Sequence, residues 1–132
     1  MIVVDASAMT EYLLGNRLGR EVAAILDDLG TDEVHIPHLC LTETTSALRG
    51  VVLGNEVSAA RGHQAIQELI RFGAVRHAPD PHLPRVWELR HDLTAYDALY
   101  VALAEVLDAE LVTCDARLAR ASGHRARVVL VA

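Results

Sequence analysis

Asp5, Glu43, Asp97 and Asp115 are the residues of this chain whose type and placement point to chemistry. Asp5 closes the apolar run Ile2-Val3-Val4, and Asp115 follows the run Leu111-Val112-Thr113-Cys114. Asp97 stands at the opening of a long helical pattern that reaches Leu107, and Glu43 near the head of another. Acids placed just beyond buried strands and at helix starts can converge at one edge of a parallel sheet. Converging carboxylates repel one another unless a cation sits among them. A hard divalent ion such as Mg²⁺ or Mn²⁺ is the natural filler, because it prefers oxygen ligands. Phosphodiester hydrolysis is the chemistry such a centre serves.

Each acid also has an ordinary structural role. Thr94-Ala95-Tyr96-Asp97 reads as a capping box. Asp5 and Asp115 read as helix N-caps, and Glu43 as a solvated acid favoured by the helix dipole. What distinguishes the two readings is the joint pattern. A capping Asp exchanges with Ser, Thr or Asn at little cost, whereas a metal ligand needs the charge. Ser7, two residues after Asp5, is placed either to aim its hydroxyl at a water or phosphate or to cap the first helix. Thr113 is a similar case. Arg49, Arg90, Arg117 and Arg120 are candidates for phosphate contacts if they line the same edge, and Arg117 and Arg120 are nearest Asp115 in sequence.

The elements that must position these residues alternate. Continuous apolar runs at 2–5, 33–36, 74–77, 110–114 and 127–131 predict five short strands buried on both faces. Apolar residues at helical spacing predict helices over 7–14, 18–29, 39–53, 57–72, 86–90, 94–107 and 116–121. Pro79, Pro81 and Pro84 mark a loop before the fifth helix. Strands separated by helices imply an α/β fold, a three-layer α/β/α arrangement around a central parallel sheet. In such sheets the site lies beyond the carboxyl ends of the strands, where Asp5 and Asp115 stand.

The 132 residues suit a single domain, 1–132, with no linker or repeat. Hydrophobic residues make up 52% and charged residues 23%, a globular composition. No apolar run is long enough for a membrane span, and the start lacks the basic and apolar regions of a signal peptide. Cys40 and Cys114 form no C-x-x-C pair; both are expected to be small buried hydrophobes in a reducing cytoplasm. The net charge of −6 is unusual for a nucleic-acid binder, but the four acids supply most of it. A cation among them would invert the local field. All twelve basic residues are Arg, whose planar fork matches phosphate oxygens. The seven histidines show no H-x-x-x-H spacing and are expected to be solvated or locally bonded. Apolar Met9, Tyr12 and Leu13, with Val51-Val52-Leu53, exceed what a small core needs and suggest an interface such as a homodimer. Ala60, Ile66, Leu69 and Ile70 are the expected core contacts of the fourth helix.

Three segments together resemble a known family. They are Ile2-Val-Val-Asp5-Ala-Ser7, Leu41-Thr-Glu43, and Leu93-Thr-Ala-Tyr-Asp97-Ala-Leu-Tyr-Val-Ala-Leu-Ala-Glu105 followed by Leu111-Val-Thr113-Cys-Asp115-Ala-Arg117-Leu. The chain is similar over nearly its whole length to PIN-domain ribonucleases, specifically VapC-type toxins of toxin–antitoxin pairs. That resemblance implies a pocket formed by Asp5, Glu43, Asp97 and Asp115, with Ser7 and Thr113 in support. It implies Mg²⁺- or Mn²⁺-dependent RNA cleavage, a homodimer and a cognate VapB-type antitoxin.

Other classes fit less well. A phosphoaspartate phosphatase calls for a second acid where Ser7 stands and for a lysine. A response-regulator receiver calls for the same lysine. A P-loop needs Gly-Lys-Ser/Thr. The alternative from another class is a catalytically silent module whose acidic pocket holds an Arg from a protein partner.

Overall fold

A computed structural model describes residues 1–132. Five strands form one parallel sheet: β1 (Ile2–Val4), β2 (Val34–Pro37), β3 (Val75–His77), β4 (Glu110–Thr113) and β5 (Arg127–Leu130). Their order is β3-β2-β1-β4-β5. Seven helices connect them: α1 (Ala6–Leu14), α2 (Arg17–Leu26), α3 (Leu39–Leu53), α4 (Ala59–Arg71), α5 (Leu83–Glu88), α6 (Ala95–Leu107) and α7 (Ala116–Arg120). Helices α1 to α4 pack on one another, and α5 packs on α6, giving the three layers.

Strand β1 is central. Ile2 lies opposite Val34 on one side and Glu110 on the other, and Val3 lies opposite His35 and Leu111. All three β1 residues are buried, so the strand needs apolar side chains on both faces. Helix α6 packs on β1, β2 and β4. Its residues from Ala98 to Ala104 are all buried. The alanines there let the helix axis approach the sheet, while Tyr100 and Leu103 fill the space between. Full burial of one such large side chain contributes roughly 1.5–3 kcal/mol.

Local chemistry sets the helix boundaries. Asp5, Asn16, Ser58, Thr94 and Asp115 cap α1, α2, α4, α6 and α7, each accepting a backbone N–H with its side chain. Helix α1 stops at Gly15, whose φ of 67° lies in the left-handed region. Gly19 makes the α1–α2 corner possible, since a Cβ there would stand 1.9 Å from the carbonyl oxygen of Glu11.

The strands and helices observed differ from expectation mainly at their ends. Helix α2 stops at Leu26 rather than Leu29, where Asp27 and Asp28 meet the negative end of the helix dipole. The Pro-rich segment is partly helical: Asp80–His82 forms a 3₁₀ turn that runs into α5, which starts at Leu83 rather than Val86. Proline is tolerated in a first turn, where no N–H is needed.

Several side chains correct the sequence reading. Met9 and Leu13 are not exposed; they lie in the core at 0% and 3% exposure. Tyr12 packs edge-on against Phe72. Of Val51, Val52 and Leu53, only Leu53 is exposed. On α4, Leu69 is buried and Ile66 half-buried, but Ala60 and Ile70 face solvent. Two histidines are neither solvated nor locally bonded. His35 and His82 are buried, and His35 Nδ1 lies 2.8 Å from Nε2 of His77, which is 42 residues away. The adjacent parallel strands β2 and β3 create that meeting. Cys40 is buried as expected, whereas Cys114 is only half-buried.

Candidate active site

The sheet order changes direction between β1 and β4, and the crevice beyond their carboxyl ends is where α/β folds place ligands. Asp5 follows β1 at this edge. Its amide donates to the Val112 carbonyl at 3.1 Å, which fixes it beside β4. Its carboxylate is buried and accepts from three donors: Ser7 Oγ at 2.7 Å, the Ala8 amide at 2.9 Å, and the Thr113 hydroxyl. Ser7 Oγ in turn accepts the Cys114 amide at 2.9 Å, and Thr113 Oγ1 accepts the Asp115 amide at 2.9 Å. Ser7 and Thr113 therefore lock Asp5 to the β4–α7 junction and stand 3.2 Å from each other. A carboxylate oxygen pair offers about four acceptor sites, so Asp5 retains capacity for one further contact.

Asp97 and Glu43 come from opposite layers. Thr94 Oγ1 accepts the Asp97 amide at 3.1 Å, which presents Asp97 in the first turn of α6. Its carboxylate makes no hydrogen bond within the chain. Glu43 projects from α3 and accepts the Tyr100 hydroxyl on Oε1 at 2.7 Å. Asp115 caps α7, accepting the Arg117 amide at 2.8 Å.

The four carboxylates feel one another. Burial raises the proton affinity of Asp5 above the usual range, and Asp115 adds to it, although three hydrogen bonds oppose the rise. Burial also raises Glu43, with further push from Asp97 and Asp5. Asp97 is raised by burial and by Asp115, with Arg117 partly offsetting this. Beneath them the Cys40 thiol is pushed up to about 12 by burial. It sits 3.8 Å from Thr44 Oγ1. Tyr100 is raised as well, chiefly by burial, so its hydroxyl stays protonated and can only donate to Glu43.

All of these donors are oxygens, and their mutual repulsion is largely uncompensated. That chemistry suits a hard cation. No three His, Cys, Asp or Glu side chains close on a common point tightly enough to enclose an ion unaided. The residues thus fit an ion held by one or two carboxylates and its own waters, the usual arrangement for Mg²⁺, and not an all-protein cage.

The arginines divide. Arg117 Nε lies 3.6 Å from Asp115 Oδ1, and Arg117 and Arg120 line a groove that includes Asp97. Arg90 instead covers the Trp87 ring at 4.8 Å and donates to the Trp87 carbonyl. Arg49 lines an apolar groove between α3 and α4 with Leu48, Val52 and Ile66. Sequence reasoning did not single out Tyr100. Its spacing three residues after Asp97 placed it on the same helix face, which was the available signal.

Comparison with known proteins agrees with this architecture. The PIN domain family matches residues 2–123. Ribonuclease VapC9 of Mycobacterium tuberculosis is 42% identical over 118 residues, covering 89% of this chain and 88% of that protein. Ribonuclease VapC1 of the same organism is 40% identical over 134 residues, covering 98% and 96%. Among solved structures, PAE2754 from Pyrobaculum aerophilum superposes with a TM-score of 0.66 at 25% identity, covering 95% of this chain and 87% of that one.

Proposed function

This chain belongs to the PIN-domain family, and from that premise we propose that it is a divalent-metal-dependent endoribonuclease, the toxin of a toxin–antitoxin pair. The observation that carries the reading is the meeting of Asp5, Glu43, Asp97 and Asp115 at one sheet edge, each of the first three raised in proton affinity by burial and by its acidic neighbours. Such an arrangement costs stability and has no structural purpose that a neutral cap would not serve. The relatives' ribonuclease names support RNA as substrate.

Asp5, Asp97 and Asp115 would hold the ion, one or two of them directly and the rest through its waters. Bound there, Mg²⁺ or Mn²⁺ would neutralise phosphate charge and make a neighbouring water more acidic. The chain's own contribution is positioning. Ser7 and Thr113 favour the charged form of Asp5 and hold it in place by donating to its carboxylate. Tyr100 fixes Glu43 through Oε1 and leaves Oε2 free to accept a proton from an attacking water. The raised proton affinity of Glu43 favours that role as a general base.

A cognate VapB-type antitoxin, a homodimer, a cytoplasmic location and a single domain over 1–132 belong to the same proposal. No helix is long and apolar enough to cross a membrane. The second reading, a silent module holding an Arg of a protein partner, is favoured by the lack of a ready three-ligand cage. Incubating the purified chain with total RNA, with and without Mg²⁺ or Mn²⁺, decides between them. The nuclease reading expects cleavage only with metal and none by Asp97→Asn. Equal cleavage by parent and variant, or no cleavage of any RNA by folded parent, would remove it.

A further inference from the structure

Two grooves that differ in charge each include members of the acid cluster. The first runs along α1 and α3 and past the β4–α7 junction. Its ionisable lining is Glu11, Glu43, Glu56 and Asp115, with no Arg or His. The second lies between the start of α6 and α7. Its ionisable lining is Asp92, Asp97, Arg117 and Arg120. We propose that the RNA strand crosses the acid cluster on the α6–α7 side, with Arg117 and Arg120 as its phosphate contacts, and is kept out of the α1–α3 groove by charge. This rests on the nuclease reading above and adds the path and the residues that set it.

The physical case is electrostatic. A nucleic-acid strand carries one negative charge per phosphate, and its affinity for protein comes mainly from neutralising them. Glu11, Glu43 and Glu56 repel it along the first groove, whose lining holds no Arg or His to offset them. In the second, two guanidinium groups are available. Arg120 is exposed and makes no hydrogen bond or ion pair within the chain. Arg117 is 88% exposed and leans only loosely on Asp115, at 3.6 Å. The second groove sets two acids against two arginines, where the first lines up four acids. Arg117 and Arg120 are three residues apart on α7 and so share a face. Each presents a planar fork suited to phosphate oxygens. Arg117 and Asp97 line the same groove, which joins the track to the cluster.

The test is the salt dependence of RNA binding. The full chain, purified without a partner, is titrated against a fluorescein-labelled 12-nucleotide single-stranded RNA in EDTA, by anisotropy, over a range of NaCl. Arg117→Ala/Arg120→Ala is expected to weaken binding at least fivefold. It should flatten the slope of log affinity against log salt by about 1.4, the value for two lost contacts to single-stranded phosphates. Arg49→Ala is expected to match the parent, and Glu11→Gln/Glu56→Gln to keep the parent slope. A double arginine variant with unchanged slope and affinity, its melting temperature being that of the parent, overturns the proposal. So does Glu11→Gln/Glu56→Gln if it binds much more tightly with a steeper slope, for then the strand runs the other way. Either result leaves metal-dependent cleavage by the parent intact. A parent that neither binds nor cleaves RNA removes the nuclease reading and this inference together.

Discussion

Tyr100 donates its hydroxyl to Glu43 Oε1 at 2.7 Å, joining α6 to α3 over a separation of 57 residues. Tyr100 is 2% exposed, so the bond is made in a protected environment and orients the only one of the four acids that comes from the α1–α4 layer. Tyr100→Phe keeps the packing and removes the donor. The expected result is a cleavage rate lower by about tenfold with KM little changed, and a stability loss of about 1–2 kcal/mol, since hydrogen bonds to charged groups are the stronger ones. Glu43→Gln is expected to lose about 10²-fold or more, as for a general base. Steady-state cleavage and urea melts of both variants check this. A Tyr100→Phe variant with parent kinetics would show that Glu43 needs no such orientation.

Asp97→Asn is expected to abolish cleavage while stabilising the metal-free chain. The sign follows from the direction of the shift. A carboxylate whose proton affinity is raised on folding contributes stability at low pH that is lost as pH rises through its folded value. At pH 7 the charge is therefore a net cost, and Asn removes it. Differential scanning calorimetry in EDTA should show a higher Tm for the variant. Added Mg²⁺ should raise the Tm of the parent more than that of the variant. A variant less stable than the parent in EDTA would contradict the account.

The His35–His77 pair predicts a loss of stability under mild acid. His77 is held below its ordinary value of 6.5, first by burial and then by the facing His35, His82 and His38. A bond from ring nitrogen to ring nitrogen needs one of the two to offer a free lone pair. Stability from this pair is present above about 6.5 and falls away as the pH drops below it. Melts at pH 7.5 and pH 5.5 should show a larger fall for the parent than for His77→Gln. Equal falls would mean that the pair bears no such load.

Gly19→Ala is expected to destabilise by about 2–3 kcal/mol, because the added methyl would meet the Glu11 carbonyl and force α1 and α2 apart. Alanine's helix propensity would offset only about 1 kcal/mol of the strain. Urea denaturation measures the difference. Unchanged or raised stability would show that the corner relaxes.

Much of this could be read from the chain alone, and the reasons are physical. The five strands are apolar runs because both faces of the sheet are covered, and the caps Asp5, Thr94 and Asp115 sit where the runs change period. That is why the strand ends and helix starts that carry the acids are legible in the sequence. What could not be read depends on which elements become neighbours. The Tyr100–Glu43 bond and the His35–His77 bond cross 57 and 42 residues and leave no trace in local spacing. Met9 and Leu13 read as surplus to a small core because local spacing does not show how many elements surround α1. It is in fact surrounded by α2, α3, α4 and β4. The difference in charge between the two grooves is likewise absent from local spacing, since each draws its lining from elements far apart in the chain.

The hydroxyl of Thr113 reaches the carboxylate of Asp5 across 108 residues, and β1 lies between β2 and β4. Asp5 therefore leaves the ribosome long before the strand that completes its surroundings. Sheet closure of this non-local kind is slow compared with local helix formation. A nascent chain that has not yet exposed β4 lacks both Thr113 and Asp115. During synthesis the acid cluster therefore stays incomplete until the β4–α7 segment has emerged.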